Sequence, residues 1–142
     1  MLVLGAHGML GQALMHRFRE HLAGKGCDAP VGWDIAELDI RNREAVSSAL
    51  RRLRPAVVVN AAAYTDVDGC ESESELAFAV NADGAGHIAC ACAAIGATML
   101  HLSTDFIFDG HIERPYLPDE PPNQLSVYGR TKWAGEQNVR NS

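Results

Sequence analysis

The chain has 142 residues, a net charge of −6, and a composition of 47% hydrophobic and 21% charged residues. Its length fits one globular domain with its own core. The negative charge disfavours nucleic-acid binding, which needs a clustered positive surface. No long uninterrupted apolar run or charged N-terminal leader predicts a membrane span or a secretory signal. We therefore expect a cytoplasmic protein that binds a small ligand, and neither nucleic acid nor a membrane as partner.

The four cysteines, Cys27, Cys70, Cys90 and Cys92, show no CxxC spacing. Their pattern predicts reduced thiols, with neither a metal site nor a disulfide framework. Cys90 and Cys92 lie in an alanine-rich stretch, so we expect both to fill the core. Five arginines between residues 41 and 54 are interpreted as the solvated face of one helix and its approach.

Apolar spacing predicts strands that alternate with helices. The predicted strands are residues 2–4, 30–33, 56–59 and 98–102. The predicted helices are residues 12–21, 44–53, 72–95 and 126–139, and residues 109–122 are predicted to form a loop. Ala13, Leu14 and Phe18 mark the apolar face of the first helix, and Ser72 with Glu75 resembles a capping box on the third. This alternation predicts an α/β fold with a parallel, doubly wound sheet and helices on both faces.

A glycine-rich turn follows the first predicted strand. Gly5, Gly8 and Gly11 form a GxxGxxG pattern that opens the first helix. The first glycine permits a tight turn, the second lets the backbone approach a pyrophosphate, and the third lets helix and strand pack closely. The helix N-terminus adds free N–H groups and a positive dipole end. The pattern in this context predicts a dinucleotide site.

An acidic residue, Asp34, ends the second predicted strand. A carboxylate at this position can accept hydrogen bonds from an adenosine ribose, which favours NADH over NADPH. Arg41 and Arg43 leave NADPH open, because either can reach a 2′-phosphate if the loop folds back. The sequence therefore predicts the site without deciding between the two cofactors.

Tyr128 and Lys132 lie four residues apart in the last predicted helix, and therefore on one face. A tyrosine is a useful acid or base only when a positive charge stabilises its phenolate, and Lys132 supplies that charge. Thr104, at the end of the fourth strand, carries a hydroxyl that can hydrogen-bond a reacting carbonyl oxygen. The alternative makes Thr104 a strand-end cap and Tyr128 a surface residue. The combination favours a catalytic site.

Four segments together resemble the extended short-chain dehydrogenases, and specifically the dTDP-4-dehydrorhamnose reductase family. They are GAHGMLG at residues 5–11, NAAAYT at residues 60–65, STDFIFDG at residues 103–110, and YGRTK at residues 128–132 followed by Gly135 and Glu136. In the sugar-nucleotide dehydratases of the same superfamily an Asp-Glu pair usually follows the threonine. Here Asp105 is followed by Phe106, which disfavours a dehydratase.

The resemblance implies a Rossmann-like fold and NADPH or NADH as cofactor, with Mg²⁺ as a candidate requirement in the full-length family. Tyr128 would donate a proton, Lys132 would activate it and anchor a ribose, and Thr104 with Asp105 would contact the sugar. The residues implied around the cofactor are Gly5, Gly8, Met9, Leu10, Gly11, Asp34, Asp39, Ile40, Ala61, Ala63, Tyr64, Thr65, Tyr128 and Lys132. For Asp39, capping of backbone donors is an alternative role. Asn81 matches a position whose side chain commonly bridges backbone or water near the site.

The activity that the resemblance implies is reduction of the C4 ketone of dTDP-4-dehydro-L-rhamnose to dTDP-L-rhamnose, with a dTDP-sugar as partner and a homodimer in full-length members. Family members continue beyond the tyrosine helix into further strands and a smaller substrate domain. We therefore expect residues 1–142 to form an NAD(P)-binding Rossmann domain that is truncated before those strands, with the C-terminal substrate domain absent.

Two other functions remain open from the sequence. A reductase-like regulatory subunit of methionine adenosyltransferase shares this fold and much of the motif set. The presence of Thr104, Tyr128 and Lys132 together favours catalysis, because binding alone does not need a phenol beside an ammonium. A sugar-nucleotide epimerase that reoxidises its own NAD is the second alternative, and it would keep its cofactor through purification.

Overall fold

A parallel sheet of four strands forms the centre of the molecule. The structure is a computed structural model, and it describes all residues from Met1 to Ser142. The strands are β1 (Leu2–Leu4), β2 (Val31–Trp33), β3 (Val57–Asn60) and β4 (Thr98–His101). They are ordered β2-β1-β3-β4, and every neighbouring pair is parallel. The α/β prediction is confirmed, and β4 ends one residue earlier than expected.

Helices connect the strands. They are α1 (Met9–Leu22), α2 (Arg43–Leu53), α3 (Val67–Ser72), α4 (Ser74–Phe78), α5 (Ala85–Ile95) and α6 (Val127–Arg140), with a π-helical turn at Ala79–Gly84 between α4 and α5. A 3₁₀ turn, Asp105–Ile107, follows β4. The 3₁₀ turn and α3 were not predicted, because each is too short to show an apolar period.

The two faces of the sheet are covered by different helices. Leu2 and Leu4 of β1 belong to a core cluster that contains Leu50 of α2 and Ile88 of α5. Val3, between them, belongs to a second cluster with residues of α1. Successive strand residues point to opposite faces of the sheet, so the apolar neighbours Leu2, Val3 and Leu4 make both faces apolar. A strand covered on both faces is therefore a continuous apolar run in the sequence. Helices therefore lie on both faces, as predicted.

The buried face of α1 differs from the predicted one. Ala13 is exposed, whereas Met15 is buried and packs with Val3 and Val59. Leu14 and Phe18 are partly buried against the same cluster, as expected. The buried face of α1 therefore runs through Gly11, Met15 and Phe18, which lie three or four residues apart.

The predicted capping box at Ser72 is wrong. Ser72 is the last residue of α3, and its hydroxyl donates to the Gly69 carbonyl oxygen at 3.1 Å. The following helix starts at Ser74, and no side chain caps it. Asp66 instead caps α3 by accepting a hydrogen bond from the Gly69 N–H.

The helical run Ser74–Ile95 is long and apolar enough to cross a membrane by length and composition. Here it packs against α2 and α6, and its residues Ile88, Ala89, Ala91 and Cys92 are buried. Burial in the core accounts for its composition. Cys90 departs from the prediction because it is exposed, on the opposite side of the helix from the core.

The strand order changes direction at β1, since the chain moves to β2 on one side and to β3 on the other. Ligands of open α/β sheets bind outside the carboxyl ends of the strands at such a switch point. The crevice between the ends of β1 and β3 is therefore the place to look for the site.

Candidate active site

The glycine turn after β1 is built for close approach of backbone segments. Gly5 has a φ of 75°, and a Cβ there would lie 2.6 Å from the Ala62 nitrogen. A Cβ on Gly11 would overlap the Gly5 carbonyl oxygen. A Cβ on Gly8 would meet nothing nearer than 3.4 Å. Gly5 and Gly11 therefore serve the fold, while Gly8 leaves space that faces the crevice.

The N-terminus of α1 opens into the same crevice. Its N-cap is Gly8, no side chain caps it, and its first turn contains no acidic residue. The first N–H groups of a helix lack partners within the helix and carry a partial positive charge. This arrangement suits a phosphate or pyrophosphate.

Asp34 at the end of β2 is held next to the glycine turn. Its carboxylate accepts hydrogen bonds from the His7 and Ile35 N–H groups, each at 2.9 Å. Partial burial raises the pKa of Asp34, but the hydrogen bonds from His7 and Ile35 outweigh it and hold the pKa below its ordinary value. Asp34 is therefore an ionised acceptor beside the turn.

A first cleft, of about 410 Å³, lies between the ends of β1, β2 and β3. Gly5, Gly8 and Asp34 line it on one side, and an apolar wall closes the other. That wall consists of Leu4, Trp33, Ile35, Leu38, Ile40, Leu76 and Val80. The combination of an apolar slot with a few polar groups is typical of a small-ligand site. Most of this wall was missed at the sequence level, because its residues come from three separate segments.

Asp39 and Arg41 form an ion pair in this cleft. The Arg41 guanidinium donates to both oxygens of Asp39 at 2.6–3.0 Å, and the Arg41 N–H also bonds to Asp39. The hydrogen bond from Arg41 lowers the pKa of Asp39 below its ordinary value. Asp39 therefore satisfies a backbone donor, as its alternative role predicted, and it also lines the cleft.

A second cleft, of about 300 Å³, continues from the first. The two share Gly8, Ala61 and Ala63, so they form one groove across the switch point. The second cleft is lined by Gly8, Met9, Leu10, Gly11, Ala61, Ala63, Thr65, Leu102, Ser103, Tyr128 and Lys132. All fourteen residues implied around the cofactor line one cleft or the other.

Lys132 is almost completely buried, with 2% of its surface exposed. Its ammonium donates to the Leu102 carbonyl oxygen at 2.6 Å. Burial lowers the pKa of Lys132 to about 8, against an opposing effect of the Glu136 charge. Tyr128, one turn earlier, is also buried, and the Phe106 ring packs edge-on against it at 5.5 Å between centroids. The pair forms the floor of the second cleft.

Thr104 and Asp105, which were predicted to contact the sugar, do not line this cleft. The Thr104 hydroxyl accepts the Phe106 N–H at 3.3 Å and caps the 3₁₀ turn. Asp105 lines a neighbouring cleft of about 360 Å³, together with Phe108 and Tyr116. Ser103, which the site prediction did not include, is the residue of this segment that lines the cleft with Tyr128.

Asn81, in the π-helical turn, links the two halves of the groove. Its side chain accepts the Tyr64 N–H at 2.8 Å and donates to the Tyr64 carbonyl oxygen at 2.9 Å. It also donates to the Thr131 hydroxyl at 3.0 Å, and Thr131 bonds to the Tyr128 carbonyl oxygen. A π-helical turn is often found at functional sites. Here it carries an asparagine that ties the loop after β3 to the helix of Tyr128.

No group of three or more His, Cys, Asp or Glu side chains is arranged to hold a metal ion.

A family model described as RmlD substrate binding domain matches residues 1–142, the whole chain. The chain belongs to the RmlD substrate binding domain family. A relative in this group, the dTDP-4-dehydrorhamnose reductase of Streptomyces griseus, is 49% identical over 138 residues, which are 97% of this chain and 44% of the relative. The chain thus spans about half the length of the curated relatives that it matches.

Two solved structures of this kind superpose closely. The dTDP-4-dehydrorhamnose reductase of Clostridium acetobutylicum gives a TM-score of 0.90 at 37% identity, over 99% of this chain and 48% of that one. The Bacillus anthracis dTDP-4-dehydrorhamnose reductase, solved in complex with NADP, gives 0.90 at 35% identity over the same shares. The RmlD family member described here therefore has a Rossmann-like fold.

Proposed function

We propose that this chain is the cofactor-binding domain of a reductase that transfers hydride from NADPH or NADH to the C4 ketone of dTDP-4-dehydro-L-rhamnose, giving dTDP-L-rhamnose. The observation that carries the proposal is the single groove that joins the glycine turn to the Tyr128–Lys132 pair. Sugar recognition beyond Thr104 and Asp105 is assigned to other residues of the whole protein. The names of the relatives supply the substrate.

The residues of the groove fit a dinucleotide along its length. The open space at Gly8 and the uncapped N-terminus of α1 suit the pyrophosphate. Asp34 and the apolar slot behind it suit an adenosine, and Lys132 suits the ribose next to the nicotinamide. When bound, the nicotinamide would supply the hydride.

The protein's own residues then handle the proton. Tyr128 donates its phenolic proton to the sugar oxygen as the C4 carbon accepts hydride. The Lys132 ammonium stabilises the phenolate that this step leaves. Thr104 orients the carbonyl by donating a hydrogen bond to its oxygen. Since Lys132 is buried and bonded to Leu102, its charge lies at a fixed position beneath the groove.

Either cofactor is compatible with the first cleft. The Asp34 carboxylate suits the ribose hydroxyls of NADH. Arg41, which is 40% exposed and close by, suits a 2′-phosphate if it leaves Asp39. We propose use of both, with the Arg41–Asp39 pair setting the preference.

The test is whether the protein in its full natural length reduces dTDP-4-dehydro-L-rhamnose, with the rate measured as the oxidation of NADPH. Tyr128→Phe should lower kcat by about 10²–10⁴-fold, because general acid catalysis contributes about this much. The dissociation constant for NADPH should change little, because phenylalanine keeps the ring. Identification of dTDP-rhamnose as the product completes the assay.

Two results would contradict the proposal. Binding of NADPH without turnover of any dTDP-sugar would favour a regulatory subunit. A purified protein that already carries NAD, visible in its absorbance spectrum, would favour an epimerase.

A further inference from the structure

The end of β4 and the helix of Tyr128 are joined by one carboxylate that the proposed chemistry does not use. The Ser103 hydroxyl donates to Glu136 at 2.5 Å, across 33 residues of chain. The other oxygen of Glu136 accepts from Arg140 at 3.2 Å, and only 13% of the Glu136 side chain is exposed. Ser103 directly precedes Thr104, and Glu136 lies one helical turn after Lys132.

The same helix is held at a fixed distance from its neighbours by two glycines. A Cβ on Gly129 would overlap the Phe106 carbonyl oxygen, and a Cβ on Gly135 would overlap the Asn81 carbonyl oxygen. These approaches limit how near α6 can come to the 3₁₀ turn and to the π-helical turn. They do not prevent α6 from sliding along its axis or rotating away. Polar contacts oppose these movements: Thr131 and Asn138 bond α6 to the π-helical turn, and Glu136 bonds it to the strand end.

We propose that Glu136 is a positioning residue, whose bond to Ser103 sets where Thr104 lies relative to Tyr128 and Lys132 while its charge faces Lys132. The inference rests on the proposed reductase function and deepens it. Lys132 reaches back to the Leu102 carbonyl oxygen, so the strand end is bonded to α6 at two consecutive residues. Together these bonds define the register between strand and helix.

The charge of Glu136 has a separate effect from its hydrogen bond. Burial lowers the pKa of Lys132, and Glu136 is the neighbouring charge that raises it. His101 of β4 adds no competing charge at neutral pH, because burial and Lys132 lower its pKa to about 4. The elements packed against α6 carry these other titratable groups: Asp68, Cys70 and Glu71 of α3, Glu75 of α4, Asp83 of the π-helical turn, His87, Cys90 and Cys92 of α5, and Asp105 of the 3₁₀ turn. On α6 itself lie Tyr128, Arg130 and Arg140.

Three variants separate the two effects. Ser103→Ala removes the hydrogen bond and keeps the charge, Glu136→Gln removes the charge and keeps an acceptor, and Glu136→Ala removes both. Glu44→Gln, on the exposed side of α2, is the matched control. The measurements are kcat for the sugar as a function of pH, the dissociation constant for NADPH, and thermal stability, all on the protein in its full natural length.

We expect Ser103→Ala and Glu136→Ala each to lower kcat by about tenfold, the effect of one hydrogen bond on positioning. The double variant should be no slower than Glu136→Ala, because both changes break one contact. Glu136→Gln should move the alkaline limb of kcat to lower pH by roughly half a unit, whereas Ser103→Ala should leave it in place. Wild-type kcat and an unmoved profile in folded Glu136 variants would overturn the proposal, as would fully multiplicative losses in the double variant.

A second readout needs no sugar substrate. It is the free energy of unfolding as a function of pH, measured by urea denaturation. The wild-type protein should gain stability as pH rises above about 8, because the folded chain loses the Lys132 proton before the unfolded chain does. In Glu136→Gln this rise should begin at a lower pH, and an unchanged onset would overturn the role of the charge. Absence of sugar reduction by the wild-type protein would refute the proposed function alone, since the stability profile still decides on Glu136.

Discussion

Lys132 is almost completely buried, and the proposed chemistry and the fold favour opposite protonation states of its amine. The proposed chemistry needs the ammonium form, which stabilises a phenolate. The fold favours the neutral form, which is why the Lys132 pKa is about 8 instead of 10.5. A residue placed for chemistry thus costs stability at neutral pH.

The first prediction concerns pH and activity. Because Lys132 must be charged, kcat/KM for sugar reduction should fall as pH rises through about 8. A profile of kcat/KM against pH, with NADPH in excess, measures this. An activity that stays constant up to the ordinary lysine range would show that Lys132 is not needed as a cation.

The second prediction concerns stability. Lys132→Met should stabilise the fold at pH 7 by roughly 1–2 kcal/mol, since it removes a desolvation cost of about 3 kcal/mol and loses a hydrogen bond to Leu102 worth about 1 kcal/mol. The gain should shrink as pH rises from 8 towards 10.5, because the unfolded chain then holds the proton that the folded chain has lost. Urea denaturation measures it. Lys25→Met, at an exposed position, should show no gain at any pH.

Asn81 is the residue on which the link between the groove's two halves depends. Asn81→Ala should lower the free energy of unfolding by about 2–3 kcal/mol, because it leaves the Tyr64 backbone groups and the Thr131 hydroxyl without their partner. NADPH binding should weaken with it. The comparison is Asn138→Ala, which removes one bond to the Ala82 carbonyl oxygen and should cost about 1 kcal/mol. Equal losses from the two variants would contradict the prediction.

At the scale of elements, the turn between β1 and α1 contains one glycine that the fold needs, Gly11, and one that cofactor binding needs, Gly8. Gly8→Ala should leave stability nearly unchanged, because the new Cβ has room and the φ of −68° suits alanine. The same change should weaken NADPH binding at least tenfold by filling the space left for the pyrophosphate. Gly11→Ala should instead destabilise the protein by about 1–3 kcal/mol, since its Cβ overlaps Gly5. Calorimetric titration and denaturation measure the two effects; tight NADPH binding by Gly8→Ala would refute the pyrophosphate assignment.

At the scale of the whole molecule, the two faces of the sheet contribute unequally. Eleven buried residues form the cluster under α2 and α5, and four form the cluster under α1. Leu50→Ala should therefore cost about 4 kcal/mol and Met15→Ala about 2 kcal/mol, because the smaller cluster can relax around a cavity. Chemical denaturation tests this, and equal losses would show that both faces are packed alike.

Features that depend on spacing within one segment were predictable from the sequence. The alternation of apolar runs determined the strands and the α/β class, and the glycine spacing marked the turn where backbone segments meet. Tyr128 and Lys132 share a face because four residues make about one helical turn. Such local periods follow from backbone geometry, and a single segment contains all the information.

What only the tertiary structure decided are the contacts between distant segments. The bonds from Asn81 to Tyr64 and Thr131, the bond from Ser103 to Glu136, and the exposure of Cys90 depend on how helices pack. The π-helical turn and the start of the helix at Ser74 divide a segment that the apolar pattern predicted as one continuous helix. The burial of Lys132, and with it the lowered pKa, likewise exists only once α6 lies against the end of β4, because a charge is desolvated by its surroundings and not by its neighbours in sequence.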